Sequence, residues 1–211
     1  LSDVIKNPLF KNEDIETEKK ILLGNLRSKK DNIYEVLVNT FYRSIFGKKG
    51  YGLDEDGDTA SLPRLSRDDL INWHRKIFCG RNIVIAVCGK IKDNVKNLIE
   101  KYFGDLKEGE RMKMLFTLPQ INVRKTKYVE SDFANTGIRI GFVFPQVDYI
   151  DALKFDLLES AIGGMGGRLF INLRDKMGLG YSLWCAFIPF SEFSLFYSIL
   201  DCIDSGSAFQ T

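Results

Sequence analysis

The sequence predicts a layered fold of helices and strands, and three stretches carry that prediction. Ile33, Val36, Leu37, Thr40, Phe41, Ser44 and Ile45 recur at helical spacing, which marks a helix from about Ile33 to Phe46 with one buried face. "NIVIAVCG" (82–89) is a short β-branched run ending in glycine, the pattern of a buried strand, and helical segments flank it. "TGIRIGFVFP" (136–145) alternates Ile138, Ile140, Phe142 and Phe144 on one face of a further strand. Strands flanked by helices bury their apolar faces by stacking as layers.

In chain order, residues from about Glu13 to Lys29 form a charged helix containing "EKKILLGN", followed by the Ile33–Phe46 helix and the loop "GKKGYGLDEDGDTASLP". Ser66, with Asp69 three residues on, is a capping arrangement that starts a helix running through Phe78. After the 82–89 strand, Ile91, Val95, Leu98, Ile99, Tyr102 and Phe103 give another amphipathic helix closed by Gly104. The period then fades through "DLKEGERMKMLFTLPQIN", which reads as an interdomain linker. Two strands, "VRKTKYVE" and "TGIRIGFVFP", follow it. A helix from about Asp148 to Ile162, "GGMGG", a short helix through Lys176 and the strands "YSLWCAFIP" and "FSLFYSILD" come next. A hairpin beginning near Ser205 would leave a sheet edge open, so both ends read as those of a fragment. The expected division is residues 1–106, a linker at 107–122, and residues 123–211.

Composition narrows the function. A chain of 211 residues, 45% hydrophobic and 27% charged, is globular, and 30 basic against 28 acidic residues, interspersed, offer no basic face for nucleic acid. No apolar run approaches the ~20 residues of a membrane span, and "LSDVIKNPLF" lacks the build of a signal peptide. Cys79, Cys88, Cys185 and Cys202 are scattered, which favours free thiols in a reducing compartment such as the cytoplasm. The single histidine, His74, is too few for a catalytic zinc site built by this chain alone.

Several motifs reduce to structure. "GGMGG" follows a helix and lacks GK[ST], so it reads as a hinge. "DEDGD" (54–58) has its glycine one residue early for a calcium loop, and Leu65 stands where a bidentate Glu belongs, leaving a solvated turn. Cys185 sits inside a hydrophobic strand with no base near it in sequence, so it reads as inert core rather than nucleophile.

"LRDKMGLGYSLW" (173–184) does not reduce so easily. Met177-Gly178 ends a helix as a glycine cap does, and Gly180 permits a sharp turn, so Tyr181 opens its strand beside the last turn that carries Arg174. Five guanidinium donors and one neutral hydroxyl suit a peptide carbonyl or a developing oxyanion. The plain alternative is a surface arginine paired with Asp175 and a half-buried strand tyrosine.

Three stretches together resemble the pitrilysin/insulinase family of inverted-motif zinc peptidases, in its bacterial, processing-peptidase-like branch. They are "IETEKKILLGNL", "YGLDEDGDTASLPRLSRDDLINWHRKIF" with "RNIVIAVCGKI", and "GGRLFINLRDKMGLGYSLW". The resemblance implies an α+β fold with antiparallel sheets and helices packed on one face, in duplicated domains that form a clamshell around an unfolded peptide. Residues 1–106 would be the end of one such domain and 123–211 the beginning of the next, metal-free one. It also implies that Tyr181 stabilises the tetrahedral oxyanion and that Arg174 holds the substrate carbonyl, both reaching a zinc site on another half.

The departures from the family pattern matter as much. Zinc there is held by HxxEH, which would lie upstream of Leu1, and by a glutamate in ExxxxxxE. Glu18 keeps the first position of that second motif, where it would support the metal ligands without binding zinc itself, but Asn25 stands where the ligand belongs, and a neutral amide binds zinc poorly. The expected function is therefore a subunit without metal of its own, which supplies Arg174 and Tyr181 to a zinc-bearing homologous partner, or to a second copy, for peptide hydrolysis. Two alternatives stand beside it: a catalytically inactive structural or peptide-binding homologue, and a complete zinc endopeptidase whose HxxEH lies outside this stretch.

Overall fold

The computed structural model describes residues 1–91, 93–112 and 124–202, with the Cys202 side chain excepted. It forms two compact units: Leu1–Asn25 with Asp58–Leu115, and Leu26–Gly57 with Phe116–Thr211.

In the first unit lie helix α1 (Ser2–Lys6), most of α2 (Asn12–Ser28), α4 (Arg67–Ile77) and α5 (Val95–Phe103). The expected capping box is present: the Ser66 hydroxyl accepts from the Asp69 N–H, and the Asp69 carboxylate accepts from the Ser66 N–H at 2.8 Å. His74 is tied to the carbonyl of Ile5 through Nε2 at 2.8 Å and stacks on Phe78. The first described residues of the expected linker are not free. Lys107 and Glu108 accept through their carbonyls from the N–H groups of Gly80 and Arg81, and Asn82 holds the Met112 N–H at 2.8 Å. Residues 113–122 of the linker lie outside the described residues.

Two expected strands are not strands here. "NIVIAVCG" and the described part of "VRKTKYVE" have no ladder partner among the described residues, and Val84 is 93% exposed. The physical reason is that β propensity measures fit to a pleated, half-buried surface. A β-branched run without a neighbouring strand has no surface to fit.

The second unit is built on a three-stranded antiparallel sheet in the order β1-β3-β2, from β1 (Thr136–Pro145), β2 (Gly180–Pro189) and β3 (Phe193–Cys202). β3 is paired on both sides, and its Phe193, Ser194 and Leu195 are fully buried. One face receives helix α3 (Ile33–Phe46), capped by the Asn32 side chain on the N–H groups of Tyr34 and Glu35. Phe41, Tyr42, Ile45 and Phe46 of α3 pack there with Leu195, Tyr197, Ile199, Trp184 and Ala186. The other face carries helix α6 (Tyr149–Gly163), whose Phe155 stacks on Phe187 and Phe144.

The loop that follows α3 is largely exposed, as a solvated turn is, but it is also anchored. Lys29 bridges Asp54 and Asp56 at 2.8 and 2.7 Å, and Asn39 also donates to Asp54. Burial alone would raise the Asp54 pKa, but the Lys29 ammonium, the Asp56 N–H and Asn39 outweigh it and hold that carboxyl below its ordinary value. Burial also opposes the charge on Lys29, and its two carboxylate partners more than reverse the effect, so its pKa lies above the usual lysine value.

Two outcomes follow from these packing constraints. A Lys29→Met variant leaves Asp54 and Asp56 without a cation and loses about 1–3 kcal/mol in urea unfolding at pH 7. Since the folded Asp54 pKa is depressed, this stabilisation is present above the unfolded value of about 4 and is lost as pH falls through the folded value. The gap between variant and parent narrows toward pH 3; an undiminished gap there would assign the loss to packing instead. The second outcome concerns Gly180, where a Cβ would strike the Asp201 carbonyl oxygen and sit 2.8 Å from Leu200 Cδ1. Gly180→Ala is expected to cost about 1–3 kcal/mol and to lower the melting temperature. A variant as stable as the parent would contradict the β2–β3 approach described here.

Candidate functional site

The corner at Arg174 and Tyr181 is assembled by backbone geometry. Residues Phe170–Lys176 form a π-helix, a wider turn that is rare and recurs at functional sites. It ends at Gly178, whose φ of 64° lies in the left-handed region that glycine occupies without strain. There the Gly178 N–H donates to Arg174 O and the Leu179 N–H to Leu173 O, both at 2.9 Å, closing the helix end. Leu179 is buried, and the chain enters β2 directly.

β2 then departs from simple pairing. Gly180 lies opposite Cys202 and Leu183 opposite Leu200, so three steps along β2 match two along β3 and one extra residue falls at Tyr181–Ser182. Such a bulge re-aims a side chain, and Tyr181 stands 72% exposed while Leu183, Cys185 and Phe187 beyond it are buried.

The expected convergence occurs. The Arg174 guanidinium lies 4.7 Å from the centroid of the Tyr181 ring and 4.4 Å from that of Phe170. These contacts spend the π surface of the cation and leave its in-plane donors available. Among the described residues, neither those donors nor the Tyr181 hydroxyl has a protein acceptor. The plain alternative, an Arg174–Asp175 pair beside a half-buried tyrosine, is not what the structure shows. Phe170 was not legible as a member of the site, although its position four residues before Arg174 on a helix is a usable signal.

Other candidates separate from this corner. Cys185 is buried, with its thiol on the Glu159 carbonyl oxygen, and burial followed by the nearby Glu159 charge pushes its pKa up, as suits an inert thiol. Glu159 also accepts from the Phe187 N–H at 2.8 Å. Glu18 and Asn25 lie seven residues apart on α2, both exposed. Zinc does not fit the residues described: Asn25 offers a neutral amide, His74 is engaged with Ile5 and Phe78, and no three His, Cys, Asp or Glu residues converge among the described residues. Among the same residues, no helix is long and apolar enough to cross a membrane.

Comparison with known proteins agrees with the architecture. The family model of the peptidase M16 inactive domain matches residues 64–208. An uncharacterized zinc protease of Rickettsia felis is 25% identical over 199 residues, covering 93% of this chain and 48% of that protein. The chain thus spans about half the length of the curated relatives it matches. The crystal structure of the peptidase M16 inactive domain from Pseudomonas fluorescens superposes with a TM-score of 0.85 at 22% identity, over 95% of this chain and 49% of that one. Pitrilysin superposes at 0.65 with 15% identity, over 99% of this chain and 24% of its own. At such identities the structural likeness is one of fold: mixed helices with an antiparallel sheet. With the family model covering most of its length, this chain belongs to the peptidase M16 family of zinc proteases, through that family's inactive domain.

Proposed function

We propose that this chain is the metal-free part of a peptide-hydrolysing assembly, to which it contributes Arg174 and Tyr181. The observation that carries this reading is the pairing of an arginine with unengaged donors and an exposed tyrosine on a bulged strand end. The substrate is an unfolded peptide held in a clamshell chamber, and zinc belongs to a homologous partner subunit. Tyr181 donates its hydroxyl proton in a hydrogen bond to the oxyanion of the tetrahedral adduct, and Arg174 donates to the substrate carbonyl and keeps it in register. Free Cys79, Cys88 and Cys185 support a reducing compartment such as the cytoplasm.

Residues 1–106 and 123–211 are assigned on this reading to successive family domains, with 107–122 between them. α3, which belongs to the first assignment by sequence, packs on the sheet of the second.

A second reading, a structural or peptide-binding homologue without catalysis, is favoured by Asn25 at the ligand position. The two separate in the assembled, zinc-bearing complex. There Tyr181→Phe is expected to lower kcat by about 10²–10³-fold, the range for removing one oxyanion donor, with peptide binding retained. Unchanged turnover would sink the catalytic role. Elemental analysis of the full-length protein purified alone is expected to find no stoichiometric zinc; one zinc per chain would instead favour a complete endopeptidase and make the assignment of Asn25 wrong.

A further inference from the structure

Arginine carries a long, flexible side chain, and a catalytic donor gains from being held before substrate arrives. Tyr181 cannot hold Arg174 by itself, because it is 72% exposed and projects from a bulge. Phe170 differs. Together with Leu173 and Ile138 it packs against buried Leu183 and Leu200, which join β2 to β3 beneath the π-helix. Its ring is therefore fixed to the sheet, and the Arg174 guanidinium rests 4.4 Å from its centroid. The chain runs from sheet core to Phe170 to Arg174 to Tyr181, with one aromatic contact linking the rigid part to the polar part.

We propose that Phe170 is a positioning residue for Arg174, holding the guanidinium against a ring anchored in the sheet so that its donors are presented beside the Tyr181 hydroxyl. The contact is aromatic in kind, so ring-bearing substitutes preserve it and an aliphatic residue does not. The proposal rests on the functional reading above for its catalytic consequence, but the hold on Arg174 is readable without catalysis.

The test uses the full-length protein, with its zinc-bearing partner where turnover is measured. Phe170→Leu keeps an apolar side chain against Leu183 and Leu200 and removes the ring, and Phe170→Tyr restores the ring. Phe170→Leu is expected to lower kcat/KM about fivefold, as loss of one exposed cation–π contact would, and Phe170→Tyr to recover most of it. In the Arg174→Ala background, Phe170→Leu should have no further effect, since its action passes through Arg174. Independently, the Arg174 Nε–H resonance should show an aromatic ring-current shift in the parent and in Phe170→Tyr that changes in Phe170→Leu, where only the Tyr181 ring remains beside it, with thermal melting checked for each. An Nε–H shift unchanged in Phe170→Leu, or a fivefold loss that persists without Arg174, would overturn the proposal. If instead the resonance behaves as expected while Tyr181→Phe leaves turnover intact, the positioning stands and the catalytic reading fails.

Discussion

Between Gly180 and Leu183 the chain uses one more residue on β2 than β3 supplies opposite it, and the orientation of Tyr181 follows from that surplus. Had pairing continued in strict alternation, each side chain of β2 would have been assigned to one packed face of the sheet or the other. The bulge breaks the alternation at the point where the strand leaves the helix corner. Gly180 makes this possible by lying so close to the Asp201 backbone that no side chain fits. Backbone approach, glycine identity and tyrosine exposure are thus one constraint seen from three positions.

The sheet that bears this constraint is braced from its other face by a half-buried cation. Arg139 on β1 lies over the rings of Phe41 and Tyr42 from α3 and within 3.9 Å of the Tyr197 centroid on β3, and its Nε is buried without a hydrogen-bond partner. A guanidinium tolerates this better than an ammonium because it is weakly hydrated and its charge is spread over a plane that rings can cover. The arrangement ties α3 to two strands at once. Gly137 and Gly141 on β1 let the helix come close, since a Cβ there would press on Leu37 and on Phe41.

What could be read from the sequence was what is encoded locally. The Ile33–Phe46 helix and the Ser66 cap depend on residues within a turn or two, and both were found within a residue of the expected limits. Arg139 could not be recognised, because a charge within a strand ordinarily marks a solvent-facing position, and only the arrival of α3 covers it with rings. The anchor on "DEDGD" was not legible because Lys29, which pairs with it, lies 25 residues before Asp54. "NIVIAVCG" had the composition of a strand, but pairing is a property of two segments and one was read alone. At the candidate corner, glycine spacing announced the turn, whereas the π-helix that sets Phe170 beneath Arg174 has no comparable composition signal.

The economics of the corner bear on which function it serves. A residue selected for stability at the head of an edge strand would pack its ring, yet Tyr181 stands mostly in solvent on a bulge that interrupts the ladder. The adjoining helix is a π-turn, less regular than the α-helix it replaces, and it closes on a left-handed glycine. Each feature gives up some stability, and local irregularity of this kind persists where it aims a side chain at something outside the fold. An arginine in the same corner, held by rings rather than by a carboxylate, has in-plane donors with no acceptor among the described residues. On the proposed reading, the acceptor that meets these donors is a carbonyl oxygen from outside the fold.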